Sequence, residues 1–128
     1  MPNVVPFHHE IATLAGGIVE VTVSGQLTSN DTEAYLSALG RAIDGAARQQ
    51  IPVPLLFVDR LSGFETAKVP KAHGAFFASK AGTLDRVAVV TEKISVTFGL
   101  AAARLLAPPK QKIQTFKTRD EALRWLRG

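Results

Sequence analysis

Apolar positions recur along the chain in two different rhythms. His9 to Leu14 and Ile18 to Val23 are rich in β-branched residues, and Ala15-Gly16-Gly17 separates them. Gly-Gly accepts the positive φ angles of a tight hairpin turn, so the pattern predicts a β-hairpin closed by Ser24-Gly25. Asn30-Asp31-Thr32-Glu33 then reads as a capping box, with a helix beginning near Asp31. At about 100° per residue, Tyr35, Leu36, Leu39, Ala42, Ile43, Ala46 and Ala47 share one arc, opposite Glu33, Ser37, Arg41, Asp44 and Arg48. That is an amphipathic helix with one buried stripe.

The rhythm then alternates. Leu55 to Val58 is short, uncharged and flanked by Pro52 and Pro54, which suits a strand buried on both faces that ends at Asp59-Arg60. A helical pattern runs from about Ala67 to Lys80, a second buried strand from Arg86 to Thr91, and another helical pattern from about Ser95 to Leu106, stopped by Pro108-Pro109. Ile113 to Phe116 gives a last strand. Thr118 and Glu121 form a capping box for a closing helix whose apolar side is Ala122, Leu123, Trp125 and Leu126. A hairpin followed by alternating strands and helices predicts a single α/β domain over residues 1–128, with a mixed sheet of about five strands covered by about four helices.

Composition narrows the chemistry. The chain has 128 residues, 46% of them hydrophobic, and no cysteine, so disulfides and thiolate metal sites are excluded. The opening Met1-Pro2-Asn3-Val4-Val5-Pro6 carries no positive charge, and no Lys or Arg precedes Arg41, so a secretory signal is not expected. The uncharged runs Ile11 to Val19 and Ile94 to Ala103 are too short to span a bilayer, and a cytoplasmic protein is the default. Net charge is +4, and it is unevenly spread: three Arg against six acids in residues 1–64 (−3), twelve Lys and Arg against five acids in residues 65–128 (+7). A basic half favours encounter with anionic partners. Nucleic acid is not expected among them, because Phe116 and Trp125, the aromatics nearest the Lys110, Lys112, Lys117, Arg119, Arg124 and Arg127 cluster, fall where the periodicity wants core.

Catalytic signatures are missing. No Gly-x-Ser-x-Gly elbow and no phosphate-cradling glycine motif occurs. Ser62-x-x-Glu65 matches a capping box, so Ser62 is expected in a turn or cap. His8-His9 would point to opposite faces of a strand, which is poor geometry for a metal. Asp31, Glu33, Asp120 and Glu121 sit in first helical turns, where they oppose the helix dipole. The expectation is a protein without catalytic residues, metal or cofactor. An unrecognised hydrolase would need Ser62 or His73 to gain convergent partners.

More informative is the helix from Ala67 to Lys80. Its apolar arc, Val69, Ala72, Phe76 and Phe77, also contains His73 and Lys80. Ionisable groups on a core-facing stripe must be paired, must snorkel, or must line a cavity. One outcome is a pocket between this helix and the sheet, in which Phe76 and Phe77 touch an apolar, lipid-like ligand while His73 or Lys80 meets its anionic head.

Three segments carry a family resemblance: Gly25-Gln26-Leu27-Thr28-Ser29-Asn30-Asp31, the run Leu55 to Gly63 (Leu-Leu-Phe-Val-Asp-Arg-Leu-Ser-Gly), and the tail with Arg86 to Val90, Phe116 and Glu121 to Leu126. In this order they resemble the SpoIIAA-like proteins, related in fold to STAS domains and more loosely to the lipid-binding CRAL-TRIO domain. The resemblance implies a small bacterial cytoplasmic domain without catalytic machinery that binds a protein or a lipid. In STAS anti-sigma factor antagonists a kinase partner phosphorylates a Ser that follows an Asp at a strand-to-helix turn. Here Ser62 lies three residues after Asp59 and precedes Gly63, without the Asp-Ser-Ser-Gly pattern. Asp59, Ser62 and Gly63 are thus the candidates for phosphorylation or partner contact. Neither monomer nor homodimer is specified by any patch in the sequence.

Overall fold

The computed structural model describes residues 5–64, 68–80, 82–91 and 112–128. Five strands form one sheet in the order β1-β2-β3-β4-β5. These are β1 (His8–Thr13), β2 (Val19–Leu27), β3 (Val53–Phe64), β4 (Leu84–Thr91) and β5 (Lys112–Phe116). β1 runs antiparallel to β2, and every later pairing is parallel. The expected mixed five-stranded α/β sheet is present. Among the described residues it carries three helices rather than about four: α1 (Ser29–Ala47), α2 (Lys68–Ser79) and α3 (Arg119–Arg127). The helix expected at Ser95 to Leu106 lies outside the described residues.

Alternation along the central strands assigns the helices to opposite faces. Val53, Leu55, Phe57 and Leu61 of β3 join Val19, Val21 and Val23 of β2 and Val87 and Val89 of β4 in one cluster, which α1 and α2 cover with Leu36, Leu39, Ile43, Val69 and Phe77. Leu56 and Val58 of β3 point the other way and meet Ala88 and Val90 of β4 under Ala122, Leu123 and Leu126 of α3. Each of the Val, Leu, Ile and Phe side chains contributes about 1.5–3 kcal/mol by leaving water. β2 is apolar on one face alone: Glu20, Thr22, Ser24 and Gln26 are half-exposed, and Glu20 accepts two hydrogen bonds from Arg119 of α3, from Nε at 2.7 Å and from Nη2 at 3.1 Å.

Local signals held where backbone chemistry was decisive. Gly16 (φ 88°) and Gly17 (φ 78°) form the hairpin turn. The Thr118 hydroxyl accepts from the Glu121 amide at 3.3 Å and donates to the Glu121 carboxylate at 3.0 Å. Asp120 and Glu121 occupy the first turn of α3, Arg124 and Arg127 its last, each sign opposite to the helix dipole there.

Four expectations are corrected. α1 starts two residues before the predicted Asp31, because Thr28 rather than Asn30 is the cap: its hydroxyl accepts from the Asp31 amide at 3.1 Å and donates to the Asp31 carboxylate at 2.8 Å. β3 is twelve residues, not Leu55 to Val58. Pro54 fits inside it because the β3–β4 register shifts between Val53 and Leu55, where no ladder donor is needed. Ser62 therefore lies in β3 and caps no helix, since α2 begins at Lys68.

Nor does Ser24-Gly25 end β2, which runs on to Leu27. Gly25 has φ +80°, and a Cβ built on it would lie 2.1 Å from the Pro6 carbonyl oxygen. The segment at Val5 and Pro6 crosses here, with the Gln26 amide donating to the Val5 carbonyl at 2.9 Å. Gly25→Ala is expected to destabilise by about 2 kcal/mol or more through combined strain and clash, read as a fall in the urea midpoint. Thr118→Ala is expected to cost about 1 kcal/mol in the same assay through loss of its cap.

Candidate functional site

α2 presents its apolar arc to two different environments. His73 and Phe77 face the sheet, where His73 is 0% exposed and its ring lies near Tyr35, Phe57 and, through Phe57, Phe77. Phe76 and Lys80 instead line an open groove between α1 and α2, about 680 Å³ in volume, with Leu36, Gly40 and Ala72 among its other walls. The four residues expected around one pocket are thus divided, and aromatic side chains fill the space between α2 and the sheet. Lys80 is held across the groove by Asp44 of α1, Nζ to Oδ1 at 2.9 Å.

His73 is neutral by construction of its surroundings. Its Nδ1 lies 2.8 Å from the Val69 carbonyl, which can only accept, so Nδ1 carries the proton. Nε2 then offers a lone pair, to which the Tyr35 hydroxyl donates. Burial pushes the His73 pKa down to about 4, against a smaller upward pull from the Val69 hydrogen bond. Burial likewise raises the Tyr35 phenol well above its ordinary range, with the negative charge of Asp59 adding to it. Tyr35, the one tyrosine, sits at an ordinary core position of α1, and its pairing with His73 across 38 residues had no sequence signal.

Asp59 occupies the point where the sheet changes character. β3 pairs with β4 as far as Asp59–Thr91, yet with β2 as far as Phe64. Beyond that point the Asp59 carboxylate accepts from the Leu61 amide at 3.0 Å. Asp59 is 9% exposed, and burial raises its pKa although the Leu61 hydrogen bond opposes the shift. Next along the strand, Gly25 pairs with Leu61 and Gln26 with Gly63, so Ser62 is the extra residue of a β-bulge. A bulge re-aims its residue out of the ladder, and Ser62 is exposed. Asp59, Arg60, Leu61 and Ser62 line a second crevice, about 520 Å³, completed by residues including Thr91, Lys117 and Arg119. Sequence reasoning singled out Asp59 and Ser62; it did not foresee Arg60, which only the ending of the β3–β4 ladder brings to the crevice.

The model of the SpoIIAA-like family matches residues 18–127. The chain belongs to the SpoIIAA-like family. No curated protein matches it. Among solved structures, an uncharacterised protein with a SpoIIAA-like fold from Shewanella loihica is 18% identical, with a TM-score of 0.67 and 98% of each chain covered. An anti-sigma factor antagonist from Mycobacterium paratuberculosis is 17% identical, with a TM-score of 0.60 and 96% of each chain covered. Both likenesses are of fold. Among the described residues of this SpoIIAA-like chain, no helix is long and apolar enough to cross a membrane.

The His73 environment predicts a pH dependence. A buried histidine whose folded pKa is about 4 against 6.5 unfolded leaves stability intact above pH 6.5 and removes it as pH falls from 6.5 towards 4. The full loss attributable to His73 is about 3 kcal/mol. Urea unfolding across this range is expected to show a slope in the native protein that His73→Gln lacks; equal slopes would place a charged or solvated imidazole at position 73.

Proposed function

We propose that the chain is a single, non-enzymatic binding domain that works by associating with a protein partner through the rim at the carboxyl end of β3. The observation that carries this reading is the bulge at Ser62. It turns an exposed hydroxyl out of the central strand, between exposed Arg60 and half-buried Gly63, with Asp59 buried behind it. The likeness in fold to a protein named an anti-sigma factor antagonist supports a protein as the partner. The burial of His73 among Tyr35 and Val69, away from solvent, supports a non-catalytic role. Phosphorylation of Ser62 by such a partner is the regulated form of the same proposal: it would set a charge of about −1.5 to −2 beside Arg60, Lys117 and Arg119.

A second reading places an apolar, lipid-like ligand in the groove between α1 and α2. Phe76 in its wall and Lys80 at its rim favour it, supplying an apolar surface and a cation for an anionic head.

A photo-crosslinking residue at position 62, with a control at exposed Ala75, tests the first reading in the native cytoplasm. A discrete protein adduct at 62 and not at 75 is expected. No adduct, together with a stoichiometric fatty acid or phospholipid extracted from the purified protein, would transfer the function to the groove. With the photo-crosslinking residue moved to exposed position 60, Ser62→Asp is expected to change the adduct yield while altering stability by no more than about 0.5 kcal/mol, since the bulge is exposed.

A further inference from the structure

We propose that the crevice at the carboxyl end of β3 and β4 binds a small phosphate ester, its phosphoryl group held by Arg60, Lys117 and Arg119. Two segments far apart in sequence bring these groups together: the end of β3, and the turn into α3 with the first residue of that helix. Among the described residues neither Arg60 nor Lys117 has an ion-pair partner. Arg119 is anchored, with Nε and Nη2 on Glu20, which leaves the donors on Nη1 for a ligand. Two cations without an ion-pair partner among the described residues, beside a fixed guanidinium, suit the several oxygens of a phosphoryl group, which arginine forks meet two at a time.

Shape and position agree with that chemistry. The crevice, about 520 Å³, is of the size that small-molecule sites occupy. It opens beyond the carboxyl ends of the parallel strands β3 and β4, where their ladder ends and side chains are released from it.

The site goes beyond the protein-partner reading and is tested on the isolated chain. Ribose 5-phosphate is titrated into isotope-labelled protein at low salt, with backbone amide shifts recorded. Saturation by about 10 mM, with shifts centred on residues 60, 62 and 117–119, is expected. Arg60→Ala with Lys117→Ala is expected to weaken binding by about tenfold or more, while Arg48→Ala, beyond the end of α1, leaves it unchanged. Both altered side chains are exposed, and an unchanged melting temperature confirms that the double variant folds. Shifts that never saturate, or that the double variant retains, overturn the site. Sedimentation with phosphatidylglycerol vesicles, lost in the double variant and not displaced by ribose 5-phosphate, would assign the cations to a membrane surface instead.

Discussion

The fold depends on a central strand that is buried on both faces. β3 sits third of five, and along it Leu55 and Phe57 feed one layer while Leu56 and Val58 feed the other. A strand with that composition is stable only if helices cover both sides of the sheet. α1 and α2 close one side as crossovers between parallel neighbours, and α3 closes the other. β1, paired on one edge only, carries the lighter duty: Ile11, with Phe7 just before the strand, packs on the α1–α2 layer, while His8, Glu10 and Ala12 face solvent.

Where double burial stops, polar chemistry begins. β3 outlasts β4 by five residues, and the change is marked by a buried carboxylate on a backbone amide, an exposed Arg, and a bulged serine. The same strand end therefore supplies the features a binding rim needs: side chains released from the ladder, and a crevice floored by strand termini. Tyr35 and His73 lie one layer deeper, between α1, α2 and the sheet. Their mutual hydrogen bond, with the Val69 carbonyl on the far side of the imidazole, satisfies groups that would otherwise destabilise the core. This explains how an ionisable residue sits on a core-facing stripe without a cavity around it.

The periodicity of the sequence determined the class of fold, the hairpin and its Gly16-Gly17 turn, the amphipathic face of α1, and the Thr118–Glu121 cap of α3. These are local properties: side-chain spacing of about 2 or 3.6 residues and the φ preferences of glycine act within one turn or one strand. The same locality explains the family resemblance, whose three segments are a helix start, the central strand and the closing strand–helix unit. It also marks the limit, since the helix start was legible but its cap was displaced from Asn30 to Thr28 by competition between two adequate boxes.

The candidate sites were legible only as residues, not as places. Asp59, Ser62, His73, Phe76, Phe77 and Lys80 stand out in the sequence, yet which of them meet was decided by long-range register. The parallel pairing of β2 with β3 runs past the end of β4 and makes Ser62 a bulge rather than a cap; the packing of α2 against α1 sends Phe76 and Lys80 into a groove and His73 and Phe77 into the core. Arg60, Lys117 and Arg119 share one crevice only because β3 and the start of α3 end on the same side of the sheet. Hydrophobic spacing specifies which face of an element is buried. Which residues of distant elements then lie opposite one another is set by strand register and helix packing, and that is a property of the assembled sheet alone.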